Sequence, residues 1–285
     1  MAVDMALELI HATVQLEQPL GDGTRTVGTG FLIAAPGPDG EPRTVLITAQ
    51  HVFQKMPGAN ARIGYRIANA DGSWSYSPQP LKIRDGEGHE LWTHHPGRDV
   101  AAIAIKAPPE FARAAIPLAY LASDATFQAN RLNTGDEMMA LGFPRGLSAN
   151  AAGFPILRSG RVASYPLAPA DVFPTFLLDF SVFPGNSGGP VFVNRPAVAV
   201  VPVTDGAISA AEAAQDAGFI AGLLTQQVEL NNERLEIGIV THARYVRETI
   251  ELMLRPLNAE AVSTVASAAA PTPQARAASD ETAPE

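Results

Sequence analysis

The chain has 285 residues, 46% of them hydrophobic, which is ample apolar material for one large or two small domains. A formal net charge of −9 with no Lys/Arg run argues against a nucleic-acid or anionic-membrane partner. There are no cysteines, so disulfides do not hold the fold, and the composition is compatible with a reducing cytosol.

In chain order, the first ten residues carry Asp4 and Glu8 and no basic start, unlike a secretion signal. No stretch approaches a membrane-spanning apolar length, and a cytoplasmic location is expected. Residues 8–17 and 26–34 read as strands around the turn Leu20-Gly21-Asp22-Gly23, and Pro36 with Gly37 and Gly40 forces the next turn. The run 44–49 is an apolar strand that delivers His51 at its end. Residues 54–98 read as loop-rich, with short strands at 63–67 and 81–83 and a turn at Asp71-Gly72-Ser73. Asp99 opens the apolar run to Ile105. Pro108-Pro109 and the polar stretch 130–136 form a linker, after which 137–143, 156–165, 175–182, 219–225 and 235–240 resume the strand pattern. An insert at 194–218 holds an apolar run, 197–203, and a capping-box pattern at Ser209-Ala210-Ala211-Glu212. Val246, Ile250, Met253 and Leu257 recur at helical spacing over 243–255, with Pro256 as the stop. Residues 258–285 are rich in Ala, Ser, Thr and Pro, a composition expected to stay disordered.

The stretch that organises the chain is Phe183-Pro184-Gly185-Asn186-Ser187-Gly188-Gly189-Pro190-Val191-Phe192. A serine hydroxyl attacks a carbonyl only when a base takes its proton and donors receive the developing oxyanion. The N–H groups of Gly185 and Ser187 can form such an oxyanion hole. Alone, the stretch reads more readily as a glycine-rich hairpin turn. With His51 and Asp99 upstream, the order His, Asp, Ser makes three motifs that resemble the trypsin-like serine proteases of the bacterial kind, similar to the HtrA and V8-type branches, protease domain only. Gly28-Thr29-Gly30-Phe31-Leu32-Ile33 resembles that family's strand before the histidine, and Ala140-Leu141-Gly142-Phe143-Pro144-Arg145-Gly146 its segment opening the second barrel.

The resemblance implies an all-β fold of two six-stranded antiparallel β-barrels with a C-terminal helix. The protease domain would be 1–257, with barrels at 1–125 and 131–242 and the helix at 243–255. It implies a serine endopeptidase acting on proteins or peptides. Ser187 is the nucleophile, His51 the base and Asp99 its orienter, with no cofactor. Ser181 takes the floor of the specificity pocket, where trypsins place an Asp, so small or medium apolar P1 residues are expected. Asn186 replaces the Asp that pairs with a freshly cut N-terminus, so control is expected from the loops 145–154 and 194–218. His89, His94 and His95 fit no standard zinc spacing, and no metal is expected. His242 reads as a helix-terminal polar residue and Asp179 as a structural anchor. The alternative is a catalytically silent binding module, or an effector held inactive in a larger assembly by a regulatory protein partner.

Overall fold

A computed structural model of the chain describes residues 4–37, 40–194, 218–230 and 233–268. It opens on a helix, α1 (Met5–Ala12), where the sequence suggests a strand from residue 8. The Asp4 carboxylate accepts the N–H groups of Ala6 and Leu7, which lack intrahelical acceptors. Met5, Leu9 and Ala12 share one buried face. The strand proper, β1 (Thr13–Pro19), follows directly.

The first sheet comprises β1, β2 (Arg25–Pro36), β3 (Pro42–Thr48), β4 (Asn60–Ala68), β5 (Trp74–Lys82), β6 (Thr93–His94) and β7 (Ala101–Ala104), with β8 (Ile116–Pro117) parallel to β2. Its order is β5-β4-β1-β2-β3-β7-β6, an open eight-stranded sheet rather than the closed six-stranded barrel expected. Pro78 and Pro80 lie on β5. They have no N–H, and proline is tolerated in a sheet only on an unpaired edge, so β5 ends the sheet instead of closing it. The supposedly loop-rich stretch after 54 in fact holds a hairpin of two nine-residue strands, β4 and β5, about the expected turn, where Gly72 has φ +82°. Most of β5 is exposed, which is why no apolar pattern announces it.

Helix α3 (Pro109–Ala114) links β7 to β8, and α4 (Asp124–Ala129), opened by a capping box of Ser123 and Thr126, links the first sheet to the second. The second sheet closes as expected. It joins β9 (Glu137–Gly142), β10 (Ile156–Val162), β11 (Thr175–Asp179), β12 (Pro190–Asn194), β13 (Gly218–Leu230) and β14 (Glu233–His242) in the cyclic order β10-β11-β14-β13-β12-β9. Apolar residues of both sheets form one buried cluster that includes Phe31, Leu46, Phe192 and Leu223. The last helix, α5 (Ala243–Ala268), runs past Pro256, the expected stop. A helical proline removes one backbone hydrogen bond and bends the helix without having to end it. Tyr245, Val246, Ile250 and Leu254 bury one face of α5. Among the described residues no helix is long and apolar enough to cross a membrane. The expected insert elements at 197–212 and the tail beyond 268 lie outside the described residues.

His242, read from sequence as a helix-terminal polar residue, is a core residue with 3% exposure. Its ring lies 4.9 Å from Phe127 and 5.1 Å from Phe176. Burial lowers its pKa to about 4, against the opposing charge of Asp124 and a backbone hydrogen bond at Leu167. Below its ordinary 6.5 the unfolded chain takes up a proton that the folded one refuses. The residue's contribution is therefore complete above that pH and is lost on acidification at up to about 1.4 kcal/mol per pH unit. Urea midpoints of His242→Leu should be flatter than wild type between pH 6.5 and pH 4; identical slopes would assign the acid sensitivity to other groups.

Candidate active site

Antiparallel pairing of β3 with β7 sets Thr48 opposite Ala101. His51 follows on the short helix α2 (Gln50–Gln54), and Asp99 precedes β7. Asp99 Oδ1 accepts the His51 backbone N–H at 2.9 Å, and Oδ2 lies 2.6 Å from His51 Nδ1. A carboxylate at that nitrogen requires the ring proton on Nδ1, which leaves Nε2 of the neutral ring free to accept one. A Cβ at Gly28 would lie 2.3 Å from Val52 Cγ1, so glycine there is what lets α2 settle on β2.

The loop that presents Asp99 is held by α5. His95 Nδ1 accepts the Gly97 N–H at 3.1 Å and Nε2 donates to Glu248 at 3.1 Å, while Arg244 Nε donates to the same carboxylate at 2.8 Å. The Arg98 guanidinium lies 5.1 Å from the Tyr245 ring centroid. Burial works to raise the Glu248 pKa, but the bonds from Arg244 and His95 outweigh it and the net shift is downward.

The turn at 183–189 is held from behind, carbonyl by carbonyl. Pro184 O accepts the Arg145 N–H at 2.6 Å, Asn186 O the Gly189 N–H at 3.0 Å, and Ser187 O the Thr29 N–H at 2.9 Å. Gly185 O accepts the Thr29 hydroxyl at 2.6 Å, and that hydroxyl in turn accepts the Phe143 N–H at 3.1 Å. A trans peptide opposes its C=O and N–H. With Pro184 O facing Arg145, the Gly185 N–H therefore faces the other way. Neither it nor the Ser187 N–H donates to any group among the described residues. Two backbone donors at the serine are thus left for a developing oxyanion to draw on. Gly188 has φ +91° and a Cβ there would lie 2.0 Å from Thr29 O, so no other residue fits.

Of the predicted site residues, the structure brings His51 and Asp99 together. Ser187 does not bond to His51: its hydroxyl donates to Thr225 O on β13 at 3.2 Å. Ser181 is half-buried and has no hydrogen-bond partner among the described residues. Its neighbours Phe180 and Val182 close on Gly238 of β14, where a Cβ would lie 3.1 Å from Phe180 Cε1 and 3.0 Å from Val182 Cγ2. Asp179 is exposed at the end of β11. The histidines weighed for metal do not converge. His89 pairs with Asp85 at 2.9 Å, His94 with His95 O at 3.3 Å and His95 with Glu248. Asp85, Glu87 and His89 do approach one another on a surface loop, but Asp85 Oδ1 is occupied by the Glu87 and His89 N–H groups. Sequence reasoning missed Thr29 and Thr225. The first was visible in the Gly-Thr-Gly motif, while the second carries no local signal.

Thr29→Val keeps the shape but strands the buried Gly185 C=O and Phe143 N–H, which should lower folding stability by about 1–3 kcal/mol. Thr29→Ser restores the hydroxyl and should recover most of it; equal urea midpoints for the Val and Ser variants would show that the hydroxyl carries no weight.

Residues 28–200 match the family described as trypsin-like peptidase domain. Comparison with curated proteins gives no match. Among solved structures the chain is similar to the protease Anisep from Arthrobacter nicotinovorans. The identity is 14% and the TM-score 0.50, over 88% of this chain and 97% of that one, a likeness of fold alone. The match spans more than half of the residues and contains both the His51–Asp99 pair and the nucleophile turn, and the chain belongs to the trypsin-like peptidase domain family.

Proposed function

We propose that the chain is a serine endopeptidase in which Ser187 attacks the scissile carbonyl. Family membership implies a hydrolase of peptide bonds with protein substrates. What carries the finer reading is the pairing of Asp99 with both the backbone and Nδ1 of His51, together with the N–H groups of Gly185 and Ser187, which have no partner among the described residues. His51 Nε2 takes the serine proton and later passes it to the leaving amine, and Asp99 stabilises the imidazolium in between. The oxygen that becomes negative is received by Gly185 and Ser187 N–H.

The bond from Ser187 to Thr225 O supports a second reading, a silent module or an effector held inactive until a partner binds. In the first reading that bond is a resting rotamer. Catalytic hydrogen bonds often align only with substrate bound, and a turn about χ1 moves Oγ between staggered wells. Fluorophosphonate labelling separates the two: fast modification of Ser187 in the isolated protein supports the peptidase, and none supports the silent form. Asn186 is buried, and its Nδ2 has no partner among the described residues. A neutral amide there offers no carboxylate for an ion pair with an N-terminal ammonium, which supports control by the loops around the turn.

Ser187→Ala, His51→Ala and Asp99→Asn should each lower peptide turnover by about three orders of magnitude or more while the fold persists. Unchanged hydrolysis by Ser187→Ala would sink the assignment.

Cleavage should favour Ala, Val or Leu at P1. Ser181 offers no charge, and burying an unpaired Lys or Arg costs on the order of several kcal/mol. A peptide library dominated by basic P1 residues would show that an acid reaches the pocket.

A further inference from the structure

The segment between β9 and β10 touches the nucleophile turn at one end and the first sheet at the other. At its start Arg145 has φ +52° and Gly146 φ +76°. The left-handed region is unfavourable for a residue with a side chain and persists only where the surroundings impose it. Here they do. Gly146 O accepts Gln15 Nε2 at 3.0 Å and Arg25 Nη2 at 3.4 Å. Gln15, on β1, is 4% exposed, and its Oε1 accepts the Tyr76 hydroxyl at 3.1 Å.

At the far end Gly153 O accepts Arg66 Nη1 at 3.2 Å, and the Tyr76 ring covers Gly153 so closely that a Cβ there would lie 2.4 Å from it. Arg66, on β4, is 1% exposed and has no carboxylate partner among the described residues. Its other bonds go to Ile10 O, His11 O and Thr13 O, at the C-terminal end of α1 where a cation is favoured. The guanidinium lies 5.2 Å from the Phe111 ring centroid and 4.9 Å from that of Phe154. One side chain thus fastens α1, β1 and the loop together.

We propose that Gln15 and Arg66 are positioning residues for the oxyanion hole. They clamp loop 145–154 onto the first sheet, so that the Arg145 N–H keeps its hold on Pro184 O and the Gly185 N–H stays turned toward the substrate. Among the described residues, Arg145 N is the only group bonded to Pro184 O. Once it lets go, the peptide plane before Gly185 is free to turn, because glycine accepts both orientations. Loss of one oxyanion donor lowers turnover by about 10²–10³-fold, and partial loosening of the clamp costs a fraction of that. The clamp itself is geometry; its kinetic consequence rests on the peptidase reading above.

Gln15→Met has a similar volume and no donor. It should lower kcat by about tenfold with KM changed by less than about twofold. Affinity for a peptide aldehyde, whose adduct places its oxygen in the hole, should weaken by the same factor, while affinity for a product peptide stays constant. Tyr76→Phe, which frees Gln15 without removing its donor, should move the same quantities less. Independently of turnover, hydrogen exchange over 143–154 should accelerate about tenfold in Gln15→Met, with β9 and β14 unchanged. Unaltered exchange in that loop overturns the proposal, as does an activity loss that sits in KM or merely follows a drop in Tm. A wild-type protein that neither cleaves peptides nor labels at Ser187 fails the peptidase reading instead, and the exchange experiment then decides the clamp alone.

Discussion

Thr29 is where the two sheets are tied together at the candidate site. Its N–H bonds to Ser187 O, its hydroxyl to Gly185 O, and its carbonyl accepts the hydroxyl of Thr48, the last residue of β3. His51 follows Thr48 by one turn of chain. His51 and Ser187 are therefore connected through a single residue of β2, and a slip in the β2–β3 register would part them. Strand register is strongly specified where one face is buried, and β2 and β3 bury Phe31, Leu32, Leu46 and Ile47. The geometry of the site is inherited from the packing of that sheet.

The two sides of the site are held by different kinds of force. The nucleophile turn is fixed by neutral hydrogen bonds, which neither titrate nor fade with salt. The Asp99 loop is fixed by a cluster of His95, Arg244 and Glu248. Since the folded-state pKa of Glu248 lies below its ordinary value, that anchorage is complete above the usual carboxylate range and weakens as pH falls through the lowered value. Of the two sides of the site, acid thus loosens the Asp99 loop and leaves the hydrogen bonds of the 183–189 turn in place.

The candidate residues stand out in the sequence because their types leave few alternatives. A serine between glycines, a histidine ending an apolar strand and an aspartate opening another point to one arrangement, and Asp99 does meet His51. The closed second sheet and the turn at Gly72 were legible from strand and turn chemistry. What was missed follows from long-range packing. Helix α1 was obscured by the apolar β1 that continues from it, although Asp4 was its visible cap. Hairpin β4–β5 lacks alternation because most of β5 faces solvent. His242 looks polar in sequence and lies in the core because Phe127 and Phe176 enclose it. The roles of Thr29, Gln15 and Arg66 depend on partners more than a hundred residues away or on another sheet edge, and no local pattern encodes those.

The unclosed first sheet has a consequence for how the protein behaves in a crowd of extended chains. A free strand edge offers a row of unpaired donors and acceptors to which any extended segment can add, including a peptide bound for cleavage or a second copy of this chain. On β5 the residues at 78 and 80 point their backbone groups to the same side, and both are proline. That side offers carbonyls without the matching donors, so a visiting strand finds half a ladder. An open sheet can in this way keep its β5 edge from recruiting passing strands.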